Sequence, residues 1–150
     1  MRNKYSTRDE ELSLKLFVVL SRSLEAIKKE VVKDIKSYQL NLTEFGVLEL
    51  LYHKGPQPIQ MIGRKVLLAS SSITYVIDKL EEKGYIERRA CPNDRRVIHA
   101  HITEAGHELM NCVFPQHRQA IAHIFSELSE EEKAILIDLL KRVGYFADSL

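Results

Sequence analysis

A mostly α-helical fold with one small β-hairpin is predicted by three features of this 150-residue chain. Apolar residues recur at three- and four-residue steps through most of its length, the signature of amphipathic helices. The exception lies between Ile86 and Ile102, where two short runs flank a turn rich in Pro, Asn, Asp and Arg, the pattern of a hairpin. Helix starts and stops are written plainly between these segments, so the elements can be placed in order.

A long first helix opens on Thr7-Arg8-Asp9-Glu10, a capping-box pattern. Phe17, Leu20, Leu24, Ile27, Val31 and Ile35 then form one apolar stripe. The run Phe17-Val18-Val19-Leu20 is apolar nearly all round, which asks for burial on more than one side. After a break at Gln39 to Leu42, Thr43 is expected to cap a second helix that ends at Gly55-Pro56. Pro58 suits the first turn of a short third helix, to about Val66.

The stretch Leu68 to Thr103 is the most informative. A hydroxyl-rich helix start (Ser70, Ser71, Ser72, Thr74) leads into Ile73, Val76, Ile77 and Leu80 on one face, and Gly84 supplies a left-handed stop. Strands are expected at Ile86–Ala90 and Val97–Ile102, with Asn93, Asp94, Arg95 and Arg96 at the tip. A helix followed by a basic-tipped hairpin is the layout of a winged helix-turn-helix. Such a module places the helix in the DNA major groove and the wing on the backbone or minor groove. Hydroxyls at a helix N-terminus can meet a phosphate or a base edge, and tip arginines reach outward. Taken singly, serines cap helices and loop arginines are solvated; their order and spacing together point to duplex DNA.

Thr103-Glu104-Ala105-Gly106 begins another long helix, in which Pro115 predicts a kink or local break. Ser129-Glu130-Glu131-Glu132 is a second capping box, opening a last helix with Leu136, Leu139, Leu140 and Val143. The whole, residues 1–150, reads as one domain: a winged module over 43–102 and helical arms over 7–38 and 103–148. Both arms carry apolar stripes that a module of this size cannot cover. They are expected to pack together and against a second copy, a homodimer, with an intramolecular three-helix bundle as the alternative.

Composition narrows the function. No window approaches the ~18 apolar residues of a membrane span, and the polar start MRNKYSTRDEEL is unlike a secretory signal, so a cytoplasmic protein without membrane contact is expected. Cys91 and Cys112 are too few for a disulfide framework or a four-ligand zinc site. Between Lys54 and Ala100 nine Lys or Arg stand against five Asp or Glu, while the remainder holds thirteen against sixteen. Positive potential is therefore concentrated on the winged module, where phosphates would be met. Cys91, His99 and His101 lie close in sequence, but they lack a clear fourth ligand for zinc. With no glycine-rich phosphate loop and no paired carboxylates, neither an enzyme nor a cofactor is expected. A protein-docking module is the rival to a DNA-binding one, and it has no need of arginines at the wing tip.

Three motifs, LNLTEFGVLELL, SSSITYVIDKLEEKGYIERR and CPNDRRVIHAHITEAG, resemble the MarR (multiple antibiotic resistance regulator) family over nearly the whole chain. The resemblance implies a homodimeric repressor on a pseudo-palindromic operator, released by a small aromatic effector or by cysteine oxidation. It matches Ser70, Ser71, Ser72, Thr74, Tyr75 and Lys79 to recognition-helix positions. In the wing it assigns Asp94 to hold Arg96 for the minor groove and Arg95 to phosphate. Cys91 departs from the Asp-Pro with which the family's wing often begins. Peroxide-sensing members carry their reactive cysteine in the first helix, which has none here. Cys91 remains a redox candidate because Arg88, Arg89 and Arg95 are near in sequence; Cys112, in an apolar helix, is expected to be buried and inert. The effector pocket of the family implies Phe17, Tyr38, Phe45, His53 and Phe114 as wall residues, the alternative being that these are core. The run from SLKLFVVLSR to LNLTEFGVLELLYHKG also looks like the branch that responds to quinones and catechols.

Overall fold

A computed structural model describes residues 7–66 and 72–150. Its elements run α1 (Arg8–Lys36), α2 (Leu42–Lys54), β1 (Gln57–Pro58), α3 (Ile59–Lys65), α4 (Ile73–Glu82), β2 (Ile86–Ala90), β3 (Ile98–Ile102), α5 (Glu104–Ile124) and α6 (Glu130–Asp148). Thr7 caps α1 by accepting the Glu10 N–H at 3.1 Å. Ser129 and Glu132 complete a reciprocal capping box on α6. Gly55 (φ 78°) and Gly84 (φ 80°) occupy the left-handed region, which costs glycine least, and so end α2 and α4.

Four expectations need correction. The cap of α2 is Asn41, not Thr43: Asn41 has Glu44 three residues on, and the two exchange side-chain and backbone hydrogen bonds, leaving Thr43 buried inside the helix. Pro58 does not enter the third helix but precedes it, because Gln57 and Pro58 first pair with Ala100 and His99 as a third strand. The helix α5 runs through Pro115 without a break; packing of its buried residues outweighs one missing N–H. Cys112 is exposed, because the 100° step of a helix carries it off the face on which Met110 and Val113 are buried.

The sheet order is β1-β3-β2, antiparallel throughout, with Ile86 opposite Ile102 and Ala90 opposite Ile98. The core is centred on α2: Phe45, Val47, Leu48 and Leu51 meet Ile62 of α3, Val76, Ile77 and Leu80 of α4, and Ile86 and Ala100 of the sheet. Met110 and Val113 of α5 and Val31 and Ile35 of α1 close it from the arm side. No residue of α6 is buried. Along the first two-thirds of α1, Leu12, Leu16, Phe17 and Val19 are likewise exposed, as are Leu136, Leu139, Leu140 and Val143 of α6. Among the described residues no helix is long and apolar enough to cross a membrane.

Candidate nucleic-acid interface

The helix expected to read DNA, α4, spans ten residues, about 15 Å. Val76, Ile77 and Leu80 are fully inside, so the 3.6-residue period turns Thr74, Tyr75 and Asp78 outward. Tyr75 is 59% exposed, and the Lys79 ammonium lies 5.4 Å from its ring centre, within cation–π range. Ser72 is the N-cap residue, yet its side chain makes no capping hydrogen bond, so its exposed hydroxyl is not spent on the helix. Ser70 and Ser71 lie outside the described residues.

The wing is fixed to this helix at its base. The Arg88 guanidinium on β2 reaches both Asp78, in a close contact, and Glu81, at 3.0 Å, across α4. The Arg88 N–H also donates to Glu81 Oε2 at 3.1 Å. Bonding to Asp78, then the pull of Glu81, binds the proton of Arg88 still more tightly than usual. At the tip, Asp94 Oδ1 accepts the Arg96 backbone N–H at 3.0 Å and Nε–H at 3.1 Å. A terminal guanidinium nitrogen of Arg96 also donates to Asp94 Oδ2 at 3.4 Å, yet the side chain is 91% exposed: one edge of the fork is tethered while the rest faces solvent. Hydrogen bonds from the Arg96 side chain and backbone hold the Asp94 carboxyl below its usual range. The tether therefore persists above the ordinary aspartate pKa and is lost as pH falls through the lowered one.

Cys91 is partly buried at the wing base, where its N–H donates to the Val97 carbonyl at 2.8 Å. Two of its sequence-neighbouring cations are occupied: Arg88 by Asp78 and Glu81, and Arg89 by Glu87. His99 and His101 share a face of β3 with ring centres 6.5 Å apart. Burial, then the charges of Arg89 and His99, holds His101 below the usual imidazole range. No group of three or more metal-ligating side chains occurs among the described residues.

A cavity of about 700 Å³ opens where α1, α2 and α5 meet. Ile35, Leu42, Phe45 and Ile121 supply apolar wall, and Glu49, His53, Lys65 and His117 the polar groups. Of the five expected wall residues, Phe45 and His53 line it. Tyr38 stacks on Phe45 with ring centres 6.5 Å apart, and Phe114 meets His53 at 4.5 Å. Phe17 is not brought there within one chain. It is 72% exposed, and its position fourteen residues before Val31 on α1 separates the two by ~21 Å along the helix axis.

Sequence reasoning missed the polar seam behind Phe45. Asp34 of α1 accepts the Tyr38 hydroxyl at 2.5 Å and lies 2.7 Å from Nδ1 of His117 on α5. Burial first, then the Asp34 carboxylate, pushes the Tyr38 phenol well above its ordinary value, so it stays a donor. The signal was available, since Asp34 lies one residue before buried Ile35 on the stripe of α1, but its partner is 83 residues away.

A family model described as the MarR family matches residues 40–98. The HTH-type transcriptional regulator MhqR of Bacillus subtilis (strain 168) is 57% identical over 134 residues, 89% of this chain and 92% of that protein. The uncharacterized HTH-type transcriptional regulator YkoM of the same organism is 41% identical over 150 residues, 100% of this chain and 97% of that one. Among solved structures, AbsC, a MarR family regulator from Streptomyces coelicolor, superposes with a TM-score of 0.80 at 20% identity, covering 99% of this chain and 100% of its own. Sco3205 from the same organism, solved in complex with DNA, gives 0.77 at 19% identity over 93% and 92%. These two show a common fold. With sequence shared to this degree along nearly its full length, the chain belongs to the MarR family, DNA-binding transcriptional regulators rather than enzymes or protein-docking modules.

Proposed function

We propose that this regulator is a homodimeric repressor that reads a pseudo-palindromic operator with α4 and anchors itself with the wing. The observation that carries the reading is the pairing of Ser72, Thr74, Tyr75 and Lys79 on the outward side of α4 with a wing whose tip arginine is tethered but exposed. Asn93 and Arg95 flank that tip, and Ser70 and Ser71 extend the same helix start in sequence. The bare apolar faces of α1 and α6 support the dimer. A two-fold dimer reads two half-sites one helical turn apart, ~34–36 Å centre to centre.

Arg96→Ala is expected to weaken operator and random duplex alike and to flatten the salt dependence, since fewer counterions are released. Tyr75→Ala is expected to shift sequence preference instead, by ~1–3 kcal/mol if a good base contact is lost. Titrations at several salt concentrations against both duplexes check this; equal effects of the two substitutions on both DNAs would overturn the division of labour.

The effector of this reading is a small aromatic or phenolic compound, in keeping with the resemblance to the quinone- and catechol-responsive branch. It would occupy the cavity beside Phe45 and His53, with Glu49 and His117 as hydrogen-bonding groups, while Tyr38 and Phe114 support the walls. Only the α1 of a second copy could carry Phe17 to that cavity. To release DNA, the compound must bind the incompetent state better, by ~1–3 kcal/mol. Attack of the Cys91 thiolate on an electrophilic quinone is the competing route. Occupancy is favoured, because Cys91 is partly buried and neighbouring Arg88 and Arg89 are ion-paired. Cys91→Ser is accordingly expected to keep its release by quinone, measured by gel shift. Loss of the response with DNA affinity unchanged would move the switch to the thiol.

A further inference from the structure

Glu44 is the one ionisable side chain buried among the described residues, at 6% exposure. Its Oε1 accepts the Asn41 N–H at 3.2 Å, while Asn41 Oδ1 accepts the Glu44 N–H at 2.8 Å. The other oxygen, Oε2, accepts the Lys83 ammonium at 2.6 Å, 39 residues along the chain. Lys83 is the C-cap of the recognition helix, and its own N–H donates to the Lys79 carbonyl. One carboxylate thus joins the first turn of α2 to the last turn of α4. That first turn also carries Leu42 and Phe45, two walls of the cavity.

Stability alone does not account for such a pair. Withdrawing the Glu44 carboxylate from water is costly, and its partner Lys83 stays 40% exposed, where an ion pair adds little stability. What an ion pair adds is geometry. Apolar contacts tolerate sliding, whereas a 2.6 Å charge-assisted bond fixes distance and direction. Here the carboxylate cannot swing, because its second oxygen is held by a backbone N–H. At the far end, Gly84 is pinned as well, its carbonyl accepting the Thr103 hydroxyl at 2.6 Å.

We propose that Glu44 is a positioning residue for operator reading: through Lys83 it fixes the recognition helix against the first turn of α2, the turn that also walls the cavity. This rests on the DNA-reading role given to α4. Glu44→Gln is the informative variant, because glutamine keeps a capping-box acceptor at the same position while removing the charge that holds Lys83. Lys83→Met cuts the link from its other end, and Lys83→Arg preserves it.

The test measures affinity of the full-length protein for the duplex lying immediately upstream of its gene and for a random duplex, together with thermal melting. In Glu44→Gln and Lys83→Met the operator-to-random ratio is expected to fall about tenfold, equivalent to one good base contact. Random-duplex affinity stays near that of the unmodified protein, and Lys83→Arg keeps the ratio. A ratio unchanged in Glu44→Gln and Lys83→Met, whether or not melting falls, reduces the pair to a structural contact and overturns the proposal. Failure of the unmodified protein to prefer its upstream duplex would instead remove the DNA-reading role itself, and the proposal with it.

Discussion

Gly106→Ala is expected to lower the melting temperature by roughly 10 °C. A Cβ built on Gly106 would stand 2.2 Å from the Tyr85 carbonyl oxygen and 2.8 Å from Cγ1 of Ile102. The first of these is backbone, held in place because the same carbonyl accepts the Thr103 N–H at 3.0 Å. Relief therefore requires α5 to lift away from the end of the hairpin. Thr103 opposes that motion: its hydroxyl donates to the Gly84 carbonyl at 2.6 Å and accepts the Gly106 N–H at 3.1 Å. Overpacking of this kind costs about 3 kcal/mol, at the upper end of what a single methyl does. Circular dichroism melting of the purified variant checks the figure. A melting point within 2–3 °C of the unmodified protein, about 1 kcal/mol, would mean that this junction gives far more easily than its contacts imply.

Truncation after Ser129 is expected to have a larger consequence, dissociation or aggregation of the shortened chain. It removes α6 and, with it, the surface that Leu136, Leu139, Leu140 and Val143 present. Each such side chain contributes ~1.5–3 kcal/mol when fully buried, so a stripe of them is a sizeable share of any helical interface. Leu12, Leu16 and Val19 of α1 are exposed in the single chain, and in the proposed dimer the α6 stripe is one of the surfaces that could cover them. Contiguous apolar surface on this scale is rare on monomers. Light scattering decides the matter: a shortened chain that stays a well-folded dimer would show that α6 is dispensable to association.

Much of the architecture could be read from the residues alone, for identifiable reasons. Helices α1 and α6 announce themselves because a capping residue and an apolar period agree, and α4 because its apolar period runs into the Gly84 stop. The wing does so because Gly84 and the Pro-Asn-Asp-Arg turn bracket one short run, Ile86–Ala90, and a second, Ile98–Ile102, follows the turn. The strand β1 was hidden, since two residues carry no alternation and its partner Ala100 is 43 positions away. The cap of α2 falls on Asn41 rather than Thr43 because Glu44, three residues on, reaches back to close the capping box. The tether of Arg96 by Asp94 is local and follows from two residues of separation. The pairs Glu44–Lys83 and Asp34–His117 are not local; they exist only once the helices have crossed. Phe17 was grouped with the junction aromatics by residue type, and only the length of α1 separates it from them.

The two edges of the small sheet also bear on how the protein meets copies of itself. β1 offers an incoming strand only two residues, one of them Pro58, which has no N–H to donate. On the opposite edge, the Arg88 N–H of β2 is already bonded to Glu81, and Glu87, Arg88 and Arg89 crowd the strand with charge. Neither edge can template a growing ladder, so cross-β polymerisation finds no foothold on the native fold. The remaining adhesive surface is helical, on α1 and α6. Helical faces that meet about a two-fold axis use themselves up, so the dimer proposed above would close at two subunits rather than grow into a fibre.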